Sequence, residues 1–302
     1  MAIVSNPPEM QVKTVVAATD FMESSRLALD YAVSFAHHYK AELVLLHVFE
    51  MTEAAISAEL TSHKPSLRRS SKQERLEAFA EGIRRAGVSV RWELMEGPVC
   101  DTLLKATKEL KADLLVIGTH GTHHGLDHML IGSNTEALLL NAPCPTLTVG
   151  RHVLGGVRLD IGFKKILYVS DFTPEAAAAA PYALLLGREF GAEVDVCQLM
   201  PEVAEDNTAV RNGLAEQYCD QMRTILGKPE HAWCAPAFQL DRAIAIEQLV
   251  ERVQSDSASL IVMGVKRSSQ LGRHLRTSFA YQLLAKAVCP ILTIHTNGES
   301  TN

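Results

Sequence analysis

Residues 15–21 read VVAATDF, and residues 166–172 read ILYVSDF. Each stretch is an apolar run rich in β-branched residues that ends in Asp-Phe, and the two begin 151 residues apart. A run of this length and composition predicts a buried β-strand, which ends where the polar residue follows. The chain therefore contains two segments that could each be the first strand of a domain.

Two further pairs of segments repeat in the same order. ADLLVIG at 112–118 recurs as ASLIVMG at 258–264, and APCPTLTV at 142–149 recurs as AVCPILTI at 287–294. Their offsets of 146 and 145 residues differ from the first offset only by small insertions. Internal similarity at a fixed period indicates one unit that has been duplicated.

The length of 302 residues allows two domains. We predict them at 11–150 and 163–296, joined by a linker at 151–162 that contains a Gly-Gly pair and lacks an apolar period. With 47% hydrophobic and 21% charged residues, each half can bury a core of its own.

Charge and cysteine usage exclude several classes of protein. The net charge of −6 gives no general attraction to nucleic acid or to anionic membranes. The six cysteines form no C-x-x-C pair, and Cys144 and Cys289 precede strand-like runs, where a buried thiol acts as a small apolar group. The start MAIVSNPPEMQ has no signal-peptide pattern, and no apolar run approaches a membrane span. We expect a cytoplasmic protein that engages neither nucleic acid nor membrane.

Within the first repeat, strand-like runs alternate with segments of helical spacing. Leu27, Tyr31 and Phe35 recur at the helical period, and Ser71 with Glu74 forms a capping box ahead of a second helix. Five strands alternating with four helices predict an α/β fold with a five-stranded parallel sheet covered by helices on both faces.

The second repeat shows the same order of elements, with two local features of its own. Thr173-Pro174 is a strong helix start, and Pro181 is expected to kink or shorten that helix.

In the first repeat, the basic cluster SLRRSSK at 66–72 is interpreted as a solvated loop ahead of the second helix, with a regulatory or docking segment as the alternative.

The residues after the fourth strand of repeat one suit an anion. Gly118 and Gly121 follow the strand, and Gly132-Ser133 opens the next helix. Glycines allow close backbone approach, and the N–H groups at a helix start favour a phosphate. Ser133 with Glu136 is also a capping box, so both a phosphate contact and a simple cap are open for Ser133.

Asp20 ends the first strand, beside the crevice where ligands bind in open parallel sheets. Its carboxylate could accept hydrogen bonds from a ribose or an adenine. Asp171 occupies the same place in repeat two, so a purely structural role at the start of the first helix is also open.

Together these residues resemble the universal stress protein family, over roughly 11–150 and 163–296. That family's phosphate motif is G-x2-G-x9-G-[ST], and Gly118, Gly121 and Gly132-Ser133 match it with ten intervening residues, 122–131, instead of nine. The Asp after strand one, HVF at the end of strand two and the CP-[TI]-L-T final strand match as well. The resemblance implies two tandem Rossmann-like domains of the adenine nucleotide α hydrolase-like type.

The resemblance also implies a ligand, ATP or AMP, with or without Mg²⁺. Carried over by position, Ala18, Asp20, Val48 and Ile117 border the adenosine. The residues that hold the phosphates are then Gly118, Gly121, Gly132, Ser133, Asn134 and Thr135.

Repeat two departs from the motif. Gly264 remains, but Arg267 and Thr277 replace the next two glycines, and only Ser278 follows as expected. Side chains at these places obstruct close backbone approach, although an arginine can also pair with a phosphate. We predict that the nucleotide binds in domain 1 only.

No catalytic residue and no metal ligand is predicted. His120, His123, His124 and His128 crowd the loop of repeat one without an acidic or cysteine partner at a standard spacing, and we expect them to face solvent or phosphates. The chain has no Walker motif and no Ser-His-Asp constellation. A regulatory protein is therefore expected, with a nucleotide-free scaffold or a slow ATP hydrolase as alternatives.

The resemblance bears on assembly too, because members of the family commonly pair through their last strands. Here PTLTV and PILTI could pair with each other, which would make an internal pseudo-dimer and cover two exposed sheet edges. A homodimer of such chains and an unidentified protein partner are both open.

Overall fold

The computed structural model describes the following parts of the chain: 11–50, 66–119, 133–153, 159, 161–171, 173–198, 237–240, 246–255, 259–266 and 279–295. The chain separates into two compact units, the first made chiefly of Val12–Arg151 and the second chiefly of Gly162–Asn302. Part of the expected linker 151–162 lies outside the described residues, so its extent stays a prediction.

The first unit alternates strands and helices along the chain. Its strands are β1 (Thr14–Ala18), β2 (Glu42–Phe49), β3 (Val90–Glu96), β4 (Leu114–Gly118) and β5 (Thr146–Val149). Its helices are α1 (Glu23–Tyr39), α2 (Ser66–Arg85), α3 (Val99–Glu109) and α4 (Ser133–Asn141).

The second unit follows the same plan. Its strands are β6 (Lys165–Ser170), β7 (Glu193–Gln198), β8 (Ala237–Leu240), β9 (Leu260–Val265) and β10 (Ile291–His295). Its described helices are α5 (Pro174–Phe190), α6 (Ile246–Ser255) and α7 (Phe279–Lys286). The helix expected between its second and third strands falls in 199–236, outside the described residues. In the described parts of both units, no helix has the length and apolar character needed to cross a membrane.

Both units contain a five-stranded parallel sheet, as predicted. In the first, the order is β3-β2-β1-β4-β5, with Ala18 opposite Leu46 on one side and Ala17 opposite Val116 on the other. In the second, the order is β10-β9-β6-β7-β8. The first strand of each unit is therefore central, and the chain fills the sheet outward from it in both directions.

Alternate residues of each strand face opposite sides of the sheet, and helices cover both. In the first unit, Val16, Val44 and Leu115 pack on one side in an apolar cluster that includes Leu103 of α3 and Leu138 of α4. The other side is covered by α1 and α2, which contact the sheet along β1, β4 and β3. The α/β layering predicted from the sequence is confirmed.

The start of α5 is as predicted, but the expectation that Pro181 shortens the helix is wrong, and a kink at Pro181 stays a prediction. The Thr173 hydroxyl accepts a hydrogen bond from the Ala176 N–H at 3.2 Å, and Pro174 is the first helical residue. Pro181 lies inside α5, which continues to Phe190. The proline therefore does not shorten the helix, since packing of an Ala-rich face against the sheet outweighs one missing backbone hydrogen bond.

The predicted start of the second helix is also wrong. Helix α2 begins at Ser66, so Ser71 lies inside it and cannot be an N-cap. The basic cluster 66–72 is consequently helical and not a loop. Helical spacing places Lys72, Arg75 and Leu76 on neighbouring positions of one side of α2. Lys72 there contacts His47 of β2, and Arg75 contacts the ring of Phe21.

Buried thiols are confirmed where strands were expected to follow them. Cys144 and Cys289 are both less than a tenth exposed, and burial raises the pKa of Cys289 to about 12. Burial also raises the pKa of Cys197, with Arg252 opposing it. These cysteines are thiols and act as small apolar groups in the core.

A glycine at the end of the fourth strand lets the first helix approach the sheet closely in both units. A Cβ at Gly118 would lie 2.9 Å from the carbonyl carbon and oxygen of Ser24 in α1. A Cβ at Gly264 would lie 2.1 Å from the same atoms of Glu175 in α5. Backbone atoms cannot yield as a flexible side chain can, so both glycines are required by packing.

We expect Gly264→Ala to destabilise the second unit by about 1–3 kcal/mol or more, because an added methyl group would force the first turn of α5 off the sheet. Urea unfolding of the full chain, followed by circular dichroism, measures this as a lower midpoint. Gly162→Ala is the matched control, since nothing lies within 4 Å of its added Cβ. An unchanged midpoint for Gly264→Ala would contradict the packing argument.

Candidate functional site

The carboxyl ends of β1 and β4 lie side by side in the first unit. The chain leaves β1 toward β2 on one side, and the crossover after β3 returns to β4 on the other. At such a switch point the two connections diverge and leave a crevice beyond the strand ends. Among the described residues, Asp20 and Gly118 therefore lie at neighbouring strand ends.

Three of the predicted residues are brought together in an apolar wall. Val48 and Ile117 are buried members of the cluster between the sheet, α3 and α4, and the partly buried Ala18 packs against it. Met95 and Val99, which the sequence reading missed, also pack there half-buried. Val48 and Ile117 stand at or near the carboxyl ends of β2 and β4, so the apolar cluster reaches the strand ends there.

Asp20 lies just beyond β1, partly exposed, and shapes the turn into α1. One carboxylate oxygen accepts the Met22 N–H at 2.9 Å. In the second unit, Asp171 accepts the N–H of Thr173 at 3.1 Å and its hydroxyl at 2.6 Å. In both units the aspartate thus has the structural role that the sequence left open, because it stabilises the turn before the first helix. The bond to Met22 uses one carboxylate oxygen of Asp20.

The start of α4 is tied to the end of β4. The Thr135 hydroxyl, buried, donates to the Gly118 carbonyl at 3.1 Å. Helix α4 begins at Ser133, and Asn134 is exposed beside it. The N–H groups of the first turn have no partner inside the helix, and its dipole favours a negative group near them.

Several predicted residues lie outside the described part of the chain. Gly121, Gly132 and the histidines of 120–128 belong to this set, as do Arg267, Thr277 and Ser278 of the second repeat. The side chain of Ser133 is likewise not described, so its two interpretations stay open. Among the residues that are described, no group of three or more metal-ligating side chains occurs.

The turn between β1 and α1 is strained, and no residue type in the local sequence predicted this strain. Phe21 has φ of 67°, a left-handed conformation that costs a bulky residue about 1–2 kcal/mol. Its N–H donates to the Thr19 hydroxyl at 3.0 Å, and that hydroxyl also lies 3.2 Å from the Ser25 hydroxyl. Its ring stacks on Phe79 of α2. Strained turns that are held from several sides recur at ligand sites.

A buried histidine supports the same turn. His47, near the end of β2, is 5% exposed, and its Nδ1 lies 2.6 Å from the Thr19 carbonyl oxygen. Its Nε2 lies 3.0 Å from the Lys72 ammonium. Burial, with Lys72 and Arg75, lowers the pKa of His47, while the Thr19 bond and Asp20 oppose the change. The sequence reading used this histidine only as part of a family pattern.

The second unit differs along the corresponding surfaces. Val169 stands where the first unit has Ala18, and it is buried. Asp195 stands at the place of Val44, where it pairs with the Lys165 ammonium at 2.9 Å. The second unit therefore has a bulkier residue at the end of its first strand, and its polar exchange at Asp195 lies deeper, in the core.

Comparison with known proteins gives one family throughout. The sequence profile described as "Universal stress protein family" matches residues 11–150 and again 162–295. A universal stress protein of Methanocaldococcus jannaschii is 32% identical over 142 residues, which span 45% of this chain and 81% of that protein. Universal stress protein A homolog 1 of Coxiella burnetii is 33% identical over 142 residues, spanning 46% of this chain and 97% of that protein.

Solved structures agree at the level of the fold. A universal stress protein from Archaeoglobus fulgidus aligns with a TM-score of 0.69 at 18% identity, over 94% of this chain and 99% of that one. A Pseudomonas aeruginosa protein described as functionally unknown aligns with a TM-score of 0.63 at 15% identity, over 95% and 94%. With two profile matches that cover most of its length, the chain belongs to the universal stress protein family and carries the family's domain twice.

Proposed function

We propose that the first unit binds an adenine nucleotide, ATP or AMP, with or without Mg²⁺, and that the chain acts as a regulatory stress-response protein and not as an enzyme. The observation that carries the proposal is the position of Ala18, Val48 and Ile117. They share one apolar cluster at the switch point between β1 and β4. Asp20 and the start of α4 border the same strand ends.

The adenosine end fits the apolar wall. A flat base buries apolar surface against Val48 and Ile117, and the small Ala18 leaves room beside them. Asp20 is partly exposed, and a carboxylate oxygen not used in the turn accepts hydrogen bonds from the ribose hydroxyls.

The phosphate end fits the first turn of α4 together with Gly118, Gly121 and Gly132. Backbone N–H groups at a helix start bind phosphate oxygens without a basic side chain. The Thr135 hydroxyl is occupied by the Gly118 carbonyl, so Thr135 contributes through its backbone amide. Ser133 and Asn134 complete the cradle.

The second unit keeps the fold without the site. Gly264 is explained by its contact with Glu175, so its presence is no sign of a phosphate loop. The larger Val169, buried, stands where the first unit has Ala18, and Arg267 and Thr277 replace glycines of the motif. We therefore assign the second unit a structural role.

Regulation requires that a protein partner distinguishes the nucleotide-bound form from the unbound form, since a ligand shifts an equilibrium only through such a difference. We further propose that the chain is cytoplasmic, with domains at 11–150 and 163–296, and that its last strands pair as an internal pseudo-dimer. In support, β5 and β10 each form an edge of the unit's own sheet. A scaffold without nucleotide and a slow ATP hydrolase are the competing functions.

Calorimetry of the full chain with ATP and with AMP should give one nucleotide bound per chain. Gly132→Arg should abolish the heat of binding, because a large side chain blocks close approach of the phosphates to the backbone. Thr277→Ala is the matched control in the second unit and should bind as the original chain does. Two sites per chain would contradict the assignment to domain 1. No binding at millimolar nucleotide would favour the scaffold, and fast hydrolysis lost in Gly132→Arg would favour the enzyme.

Ala18→Val should weaken nucleotide binding about tenfold or more, because added methyl groups fill the space beside the base as in the second unit. The affinity is measured by the same calorimetric titration. Val169→Ala makes the reverse exchange in the second unit and should leave the affinity unchanged. Equal affinities for the original chain and Ala18→Val would place the base elsewhere.

Asp20→Asn should keep the turn, since an amide oxygen still accepts the Met22 N–H, while the charge that receives the ribose hydroxyls is lost. Hydrogen bonds to charged groups contribute about 1.5–3 kcal/mol, so we expect a loss of affinity of about tenfold or more. Thermal unfolding should change little. Asp171→Asn serves as the control, and a variant Asp20→Asn that binds normally would limit Asp20 to its structural role.

A further inference from the structure

His47 joins three parts of the first unit at the strand ends. Its imidazole contacts the Thr19 carbonyl in the β1–α1 turn, Lys72 in α2 and the ring of Phe21, whose centroid lies 4.4 Å away. Phe49 adds a second ring at 6.5 Å, and the Lys72 ammonium lies 5.5 Å from the centre of that ring. The histidine is thus enclosed, and its two nitrogens face two different elements.

These contacts require one form of the imidazole. A carbonyl oxygen only accepts, so Nδ1 carries the hydrogen that is donated to Thr19. An ammonium only donates, so Nε2 is bare and accepts from Lys72. If Nε2 were protonated, it would face the Lys72 ammonium, so that two hydrogen-bond donors and two positive charges would lie next to each other. The arrangement is possible only for the neutral Nδ1–H tautomer.

The turn that His47 supports is the one that carries Asp20. Thr19, which receives the imidazole hydrogen bond, holds the strained Phe21 through its hydroxyl, and Asp20 lies between them. Arg75 of α2 covers the outer side of Phe21 at 4.1 Å. A strained residue keeps its conformation only while its surroundings fix it. Loss of the His47 and Lys72 contacts therefore relaxes the turn where Asp20 is held.

We propose that His47 is the positioning residue of the β1–α1 turn, that it holds the turn only as a neutral imidazole, and that acidification therefore weakens nucleotide binding at Asp20. The last clause rests on the proposed nucleotide site, whereas the first two stand on the geometry of the turn alone.

The charged groups that face His47 favour this behaviour. From α2, Lys72 and Arg75 oppose a positive imidazole, and from the turn Asp20 favours one. With burial, the balance lowers the pKa of His47 in the folded protein. A lowered pKa means that His47 binds fewer protons when it is packed against the β1–α1 turn than when this contact is broken. The contribution of His47 to the stability of the turn is therefore complete above the ordinary pKa of about 6.5. It is lost as the pH falls toward the lowered pKa of the folded protein.

Amide hydrogen exchange tests the positioning role without nucleotide. The Phe21 and Met22 N–H groups are both hydrogen-bonded inside the turn. In the full chain, we expect their protection factors to fall at least about threefold between pH 7.5 and pH 5.5. His47→Gln keeps a donor and an acceptor but does not titrate, so its protection should not fall. Lys72→Met should make the fall smaller, because removal of a cation that lowers the His47 pKa brings that pKa closer to its ordinary value.

Two controls make this result decisive. His38→Gln removes an exposed histidine in the last turn of α1 and should behave as the original chain does. His47→Ala should lose protection at both pH values, since it can replace neither contact. An equal fall in the original chain and in His47→Gln would overturn the proposal.

Nucleotide affinity tests the consequence. AMP binding is measured at pH 7.5 and 5.5 for the original chain and for His47→Gln, so that titration of the AMP phosphate affects both alike. We expect the original chain to lose at least about threefold more affinity than His47→Gln on acidification. Equal losses would overturn the link to binding. If neither protein binds AMP at either pH, the proposed nucleotide site fails, and hydrogen exchange still decides the role of His47.

Discussion

The close contact between the end of the fourth strand and the first turn of the first helix fixes the geometry of each unit. A glycine makes it possible, because any side chain at Gly118 or Gly264 would enter the backbone of that turn. This contact holds the helix start against the central strands. The position of the crevice, of the turn after the first strand and of Asp20 or Asp171 follows from it. Packing therefore explains a glycine that a motif alone would assign to ligand binding.

Most of the fold could be predicted because its signals are local or repeated. Strand runs such as 112–118, recurring at 258–264, indicated a duplicated parallel sheet, and Thr173-Pro174 marked the start of α5 correctly. The same local reasoning misplaced the start of α2, since Ser71 has the chemistry of a cap but lies inside a helix that begins at Ser66. Capping residues identify a helix start only where the preceding residues do not continue the helix.

The surroundings of the candidate site could be predicted only in part, because several contacts there join residues that are distant in sequence. The pattern after β4 and the Asp after β1 were readable, and the structure brings Ala18, Val48 and Ile117 together. The contact between His47 and Lys72, 25 residues apart, depends on how α2 crosses the strand ends. The left-handed Phe21 gave no signal either, since neither glycine nor asparagine marks it. Non-local packing decides such features.

The two units have diverged in different ways in the core and in the crevice. In the core of the second, a buried carboxylate at Asp195 is matched by the Lys165 ammonium, and a buried charge without such a partner would be costly. A carboxylate introduced into the core therefore requires a nearby cation, which Lys165 supplies from the neighbouring strand. At the strand ends, Val169 stands where the first unit has Ala18, and Arg267 and Thr277 stand at motif positions that hold glycine in the first repeat. A glycine at 264 follows from packing in the same way, because a Cβ at that position would enter the backbone of Glu175 whether or not a ligand binds nearby.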